Sequence, residues 1–221
     1  VGQTLVERWD GTAWTIVDSP NHSGSNSFRA VTCASPSQPE ECWAVGQIVT
    51  GLGRAQTLIE EWDGGAWSIV SSPNSGAWDD LWGVTCASQG DCWAVGYYSG
   101  VSNNQTLIEH WDGTSWTIVD SPNSSGSNSL RAVACASSPS QSEECWAVGA
   151  HSNGSGVFQT LIEQWDGNFW TIVSSPNPSA DSELLGVTCA SAAQCWTAGD
   201  YASSSPPQTL VETWQGAVMR Q

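Results

Sequence analysis

Apolar and polar residues alternate along this chain in short runs, and the same runs return at nearly fixed intervals. In Thr106-Leu107-Ile108-Glu109-His110-Trp111, alternation puts Leu107, Glu109 and Trp111 on one face and Thr106, Ile108 and His110 on the other. Leu81–Cys86, Cys92–Gly96 and Trp116–Val119 are similar runs, rich in β-branched and aromatic residues and bounded by Gly, Ser, Asn and Pro. Such runs read as β-strands. Asp112-Gly113 supplies the positive φ of a tight hairpin turn between the third strand and the fourth. Ser121-Pro122-Asn123 ends the fourth strand, because proline cannot donate to a continuing ladder.

The third run begins at Gln3, Gln56, Gln105, Gln159 and Gln208, at spacings of 53, 49, 54 and 49 residues. Four antiparallel strands in about 50 residues is the size of a propeller blade. A lone blade cannot bury both faces, so blades must stack. The pattern predicts an all-β fold, a β-propeller-type array of about 4 to 4.5 four-stranded antiparallel blades with one disulfide per blade. The whole of 1–221 forms one repeat domain: a half-blade at 1–21, then blades at 28–74, 81–123, 130–177 and 184–221, the last degenerate at its end.

Three Trp positions recur. One follows the second Cys of a unit (Trp43, Trp93, Trp146, Trp196), one precedes Asp-Gly (Trp9, Trp62, Trp111, Trp165), and one opens the fourth strand (Trp14, Trp67, Trp116, Trp170). They serve either as packing between blades or as stacking platforms for sugars. A longer period lies above the first. Units one and three share a long loop before the second Cys and an Arg at Arg29 and Arg131; units two and four share the short loop and Gly-Val-Thr-Cys. Duplication of a two-blade element explains this. The ends close in one of two ways: the N-terminal strands complete the last blade, or that blade completes itself and a half-blade is left over. Unpaired strand edges invite pairing with another copy, giving oligomers or filaments.

Composition narrows the function. The chain has no Lys and five Arg against 22 Asp plus Glu, a net charge of −17, which disfavours nucleic acid and anionic membranes. No apolar run is long enough to cross a bilayer as a helix, so membrane insertion is not expected. The absence of an initiator Met and of a signal peptide reads as a processed chain or a segment of a longer one. The eight Cys fall into local pairs, Cys33–Cys42, Cys86–Cys92, Cys135–Cys145 and Cys189–Cys195, best read as one disulfide per unit. Their spacing varies and the three His follow no repeat, which argues against zinc. Paired disulfides imply a secreted, extracellular or cell-surface protein.

Leu107–Thr117, with its Leu-Ile-Glu-x-Trp-Asp-Gly-Thr-x-Trp-Thr pattern, resembles the hairpin of bacterial propeller lectins and tachylectin-like repeats. Together with Gly-Val-Thr-Cys and Cys-Trp-Ala-Val-Gly it also resembles repeat proteins secreted by actinobacteria and related soil bacteria. The resemblance implies a propeller fold and leaves the ligand open. Asp10-Gly11-Thr12-Ala13-Trp14 is similar to the Asp box of sialidases but lacks its leading Ser and one residue between Asp and Gly. The five scattered Arg do not match the arginine cluster expected of a sialidase.

The one carboxylate present in every unit (Glu7, Glu60, Glu109, Glu163, Glu212) is equivalent throughout, whereas glycoside hydrolysis needs an asymmetric pair. No catalytic residue, metal ligand or cofactor is assigned, and a non-enzyme is expected. Glu60, Glu109 and Glu163 accept hydrogen bonds from a neighbouring strand or loop, or serve a sugar hydroxyl beside a Trp. Trp78, Trp82, Tyr97, Tyr98, Phe158 and Tyr201 lie outside the repeat template, mostly near loops, where propellers bind ligands. Trp78, Trp82, Tyr97, Tyr98, Tyr201 and the three Glu form the candidate ligand-binding set. The expected function is multivalent, lectin-like binding of glycans or a cell-surface polymer; the alternative is a structural protein that self-assembles.

Overall fold

The structure, a computed structural model, describes residues 1–34, 41–138, 141–178, 181–202, 206–215 and 219–220. Pro39 and Glu40, in the long loop of unit one, and part of the degenerate tail after Gln215 lie outside these residues. The described residues form 18 strands and no helix. Strands β1 (Val6–Trp9) and β2 (Trp14–Val17) make a two-stranded sheet. Blade 1 contains β3 (Ser25–Cys33), β4 (Cys42–Val49), β5 (Ala55–Trp62) and β6 (Trp67–Val70). Blade 2 contains β7 (Asp79–Ser88), β8 (Asp91–Ser99), β9 (Asn104–Trp111) and β10 (Trp116–Ile118). Blade 3 contains β11 (Asn128–Ser138), β12 (Gln141–Ser152), β13 (Phe158–Trp165) and β14 (Trp170–Val173). Blade 4 contains β15 (Asp181–Ser191), β16 (Gln194–Ala202), β17 (Gln208–Gln215) and β18 (Met219–Arg220).

Each blade is an antiparallel meander, and each first strand starts two or three residues before its apolar run. The polar residues there, such as Ser25 to Ser27 opposite Val49 to Gln47, still pair with the end of the second strand. Blade 4 supplies its own fourth strand, and β1–β2 remains a separate two-stranded sheet. Four disulfides, Cys33–Cys42, Cys86–Cys92, Cys135–Cys145 and Cys189–Cys195, join directly opposed residues of the first two strands of each blade.

Each first strand carries a β-bulge, at Arg29, Trp82, Arg131 and Leu185. The bulge explains the glycine that closes the second-strand motif. A Cβ on Gly46, Gly96, Gly149 or Gly199 would lie about 2 Å from the carbonyl oxygen of Ser27, Asp80, Ser129 or Glu183. No rotamer relieves a backbone clash of that kind.

Three apolar cores lie between blades. Trp43, Val45 and Ile59 of blade 1 pack on Leu81, Ala94, Leu107 and Trp116 of blade 2. Trp93, Val95 and Ile108 meet Leu130, Ala147, Leu161 and Trp170 of blade 3, and Trp146, Val148 and Ile162 meet Leu184 and Leu210 of blade 4. At the first two junctions the second-strand Trp enters the Trp pair of the next hairpin. Trp43 lies 4.7 Å from Trp111 and 5.2 Å from Trp116; Trp93 lies 4.9 Å from Trp165 and 5.3 Å from Trp170. The recurring Trp are thus chiefly mortar between blades.

Polar latches recur at the hairpin ends. Asn21, Asn74, Asn123 and Asn177 accept the N–H of Thr4, Thr57, Thr106 and Thr160 at 2.9 Å. The same Thr hydroxyls meet Ser19, Ser72, Ser121 and Ser175. Ser19, Ser72 and Ser121 then donate to Glu60, Glu109 and Glu163 of the following blade at 2.8, 2.8 and 2.7 Å. Glu212, equally buried, has no hydrogen-bond partner among the described residues. Burial, partly offset by the Ser donor, pushes the Glu109 and Glu163 carboxyls up to about 8 and that of Glu60 to about 7. Burial alone takes Glu212 to about 7.

Two predictions follow from these contacts. Gly96→Ala forces the first two strands of blade 2 apart and should destabilise the chain by about 2 kcal/mol or more in denaturant titration; a neutral result would mean the bulge relaxes freely. The raised carboxyls make the folded state bind more protons than the unfolded state between about pH 4.5 and 8. Their stabilisation is complete below their unfolded value and lost as pH rises through 7 to 8. Asp10 in the exposed hairpin turn, lowered to about 2 by hydrogen bonds from Thr12 and Ala13, acts oppositely, losing its contribution as pH falls through that value. Melting temperature should therefore be several degrees higher at pH 5 than at pH 8.5. A Glu109→Gln, Glu163→Gln double variant should flatten that alkaline fall. If it does not, the fall comes from Glu60, Glu212 or the surface charge instead.

Candidate functional site

The four bulges sit on the innermost strands and re-aim their residues, as bulges near binding sites do. Arg29 reaches from blade 1 to Asp80 of blade 2, Nη2 to Oδ2 at 3.2 Å. Arg131 pairs through Nε with Glu183 of blade 4. Between them stands Trp82, with a guanidinium from the blade on either side over its ring, Arg29 at 4.8 Å and Arg131 at 3.8 Å from the centroid. Such cation–π contacts strengthen as water is excluded. Burial pushes the Asp80 carboxyl up, against the hydrogen bond and positive charge of Arg29.

Tyr97 stands opposite Asp80 in the register. Burial, and then the Asp80 charge, raise its phenol, while a hydrogen bond from the Trp78 side chain acts the other way. Trp78 is tied by its backbone to Ser99, accepting from Ser99 N–H at 2.7 Å and donating to Ser99 Oγ at 3.0 Å. Of the sequence candidates, Trp78, Trp82 and Tyr97 thus come together near the centre of the array. The ring of Trp82 is already engaged by two arginines. Asp80, Arg29, Arg131 and Glu183 complete this cluster and were not among the candidates. The matching positions of Arg29 and Arg131 in alternate units were the available signal.

Strand alternation places Tyr98 on the face of blade 2 opposite Tyr97. Its ring packs against the core between blades 1 and 2 and lines a groove of about 410 Å³ with Ser75, Ser99, Ser102, Asn103 and Gln105. The bond from Gly100 N–H to Asn103 oxygen, 3.0 Å, fixes the loop beside it. Hydroxyls and amides next to one aromatic ring can meet both the polar edge and the apolar face of a small ligand. Tyr201 holds the equivalent position in blade 4 and donates to Gln208 Oε1 at 2.6 Å. Tyr98 and Gln105 are register partners in blade 2, as Tyr201 and Gln208 are in blade 4.

Glu60, Glu109 and Glu163 present no surface to solvent. They are the acceptors of the latches between blades, which leaves no oxygen facing a ligand in this structure. Phe158 is exposed at the start of β13, its N–H donating to Asp181 at 3.1 Å.

A larger cavity, about 480 Å³, lies between the β1–β2 hairpin and blade 1, lined by Val6, Phe28, Val31, Ala44, Trp62 and Trp67. In a complete blade, first and second strands stand at that place. Among the described residues no group of three His, Cys, Asp or Glu is placed to hold a metal ion. His110 pairs with Asp91 at 2.8 Å and stacks on Trp93 at 4.2 Å. No helix among the described residues is long and apolar enough to cross a membrane.

No protein-family model and no curated protein matches the sequence. Solved structures are similar at low identity. YjhT is 9% identical over 96% of this chain and 74% of its own, with a TM-score of 0.54. A fucose lectin from Kordia zhangzhouensis, solved with methyl-fucoside, is 12% identical over 67% of this chain and 100% of its own, with a TM-score of 0.43. Fructan 1-exohydrolase IIa from Cichorium intybus is 11% identical over 91% of this chain and 50% of its own, with a TM-score of 0.45. At such identities likeness speaks to fold alone. The chain therefore has a β-propeller-type fold: four disulfide-stapled, four-stranded blades preceded by a half-blade.

Proposed function

We propose that this chain is an extracellular binding module without catalytic activity, taking carbohydrate at repeated weak sites beside the loops between second and third strands. The groove at Tyr98 carries this reading. It offers one aromatic ring among serine hydroxyls and the amides of Asn103 and Gln105, the chemistry that a sugar's apolar face and hydroxyls require. The same Tyr-Gln pair at Tyr201 and Gln208 supplies a second copy, two blades away. Two weak sites on one rigid array give avidity on a polymer or a cell surface that neither gives alone. Four disulfides point to a non-cytoplasmic protein and, within this reading, to a secreted or surface-attached one. The repeated Glu supports the non-catalytic part, because in each of blades 1 to 4 it is buried away from solvent and substrate. A structural, self-assembling surface protein is the second reading, favoured by one disulfide in every blade and by the two-blade period.

The test is a glycan array followed by titration of the best ligand. Tyr98→Ala and Tyr201→Ala should each weaken binding to immobilised polymer about tenfold, and the double variant should abolish it. Circular dichroism should show the fold unchanged, and aryl glycosides should not be turned over. Binding that survives the double variant, or an array with no ligand, would sink the proposal.

A further inference from the structure

The connection between blades 1 and 2, residues 71–78, runs from the end of β6 to the start of β7 and supplies Ser75 to the wall of the Tyr98 groove. Two carboxyls hold it. At one end Ser72 donates to Glu109, its Oγ lying 3.1 Å from Oε1 and 2.8 Å from Oε2. At the other, Asp79 accepts the N–H of Ser75 on Oδ2 at 2.7 Å, and that of Gly76 on Oδ1 at 2.9 Å and Oδ2 at 3.1 Å. Gly76 is seated closely: a Cβ there would lie 2.7 Å from the oxygen of Ser99 and 2.8 Å from Asp79 Oδ1. Asp79 also stands opposite Tyr98 in the register of β7 and β8. Completely buried, it cannot meet a ligand itself, but it fixes Ser75 and borders Tyr98.

The same place in blades 1 and 3 is held without charge. Asn26 accepts the N–H of His22 while its amide donates to the His22 and Gly24 oxygens. Asn128 does the same with Ser124 and Gly126. Blade 4 has Ser182 there, so of the four blades only blade 2 sets an acid at this position. Neither Asp79 nor Glu109 is paired with a cation among the described residues. Asp80 alternates to the opposite face, where it meets Arg29. Arg54 adjoins Ala55, whose N–H donates to the oxygen of Ala77, and it pairs with neither carboxyl. Tyr98 is the remaining ionisable neighbour. Burial pushes the Asp79 carboxyl up, against the N–H donors of Gly76 and Ser75. Burial, with the Asp79 charge added, takes that of Glu109 to about 8 against the Ser72 hydrogen bond. Asp79 has two backbone donors and Glu109 one hydroxyl, so the first charge settles on Asp79 and Glu109 keeps its proton.

We infer, resting on the reading of the Tyr98 groove as a sugar site, that Asp79 is a positioning residue for that groove. With Glu109 it makes residues 71–78 a proton-dependent wall, closed while the pair retains a proton and loosened once both carboxyls are ionised. The sign is set by burial. A closed connection keeps both acids from water, whereas a released one hydrates them, so rising pH favours release. Ser75 then leaves the groove, and a sugar bound there loses a hydroxyl contact and one wall. The connection between blades 2 and 3 is an internal control, since Glu163 takes Ser121 but the neutral Asn128 takes Ser124.

The test uses the whole chain and two readouts, from about pH 6 to about pH 9. The first needs no ligand: hydrogen-exchange protection of the Ser75 and Ser124 amides, corrected for the intrinsic effect of pH. Protection at Ser75 should fall about tenfold relative to Ser124, the equivalent of one pKa unit. The second is titration with methyl glycosides of neutral hexoses and deoxyhexoses, read from the side-chain amide signals of Asn103 and Gln105. Affinity should fall by a similar factor. Glu109→Gln should abolish both losses. Asp79→Asn, which places here the residue that blades 1 and 3 already use and so should fold, should displace both losses to higher pH. Equal protection at Ser75 and Ser124 throughout, or losses unchanged in both variants, overturns the inference. So does a glycoside bound equally well across the range, which would leave the sugar reading standing. If no glycoside binds at any pH, the sugar reading falls and the inference with it.

Discussion

A single blade of this protein has no inside. Four short strands make a sheet too thin to bury anything except against another sheet, so apolar burial happens between repeats. The second-strand Trp faces forward and the hairpin Trp pair faces back, and neither is covered until blades meet. Much of the rest follows from this division. Glycine closes the second-strand motif so that the first strand can bulge. A disulfide pins the two strands that carry the bulge, and a Thr–Ser–Glu latch holds the outer hairpins to blades 1, 2 and 3.

The latch is an odd economy for so acidic a chain. Its surface bears a large excess of carboxylates, yet one more is buried in every complete blade, where ionisation is opposed. A neutral carboxyl both accepts from serine and carries a proton of its own, so it fits a dry site better than a carboxylate would. Burial by repetition also spreads the risk, since each Glu reports on its own junction.

The architecture was legible because its signals are periodic. Alternation marked the strands, Asp-Gly the turns, and the interval near 50 residues the blades. The central cluster was not, because a bulge is an extra residue that simple alternation cannot register. Trp82 could be singled out as an aromatic outside the template, but its engagement by Arg29 and Arg131 depends on bulges in three different sheets. Glu109 allowed two readings for a related reason. Its face was fixed by alternation, but whether sheet or solvent lay beyond it depended on the packing of blade 1 against blade 2. The early starts of the first strands were hidden too, since polar residues such as Ser25 and Asn26 pair there without an apolar signature.

The charges of the innermost strands divide the blades into two kinds. Blades 1 and 3 present the arginine, and blades 2 and 4 present the acid it reaches, Asp80 or Glu183. The array is therefore written in couplets. Deleting blade 2 alone would bring Arg29 to face Ser129 and Arg131, a cation against a cation where an acid had been. Deleting blades 2 and 3 together would give it Glu183, and the arrangement would read correctly again. A change in length by two blades keeps every arginine facing an acid, whereas a change by one does not.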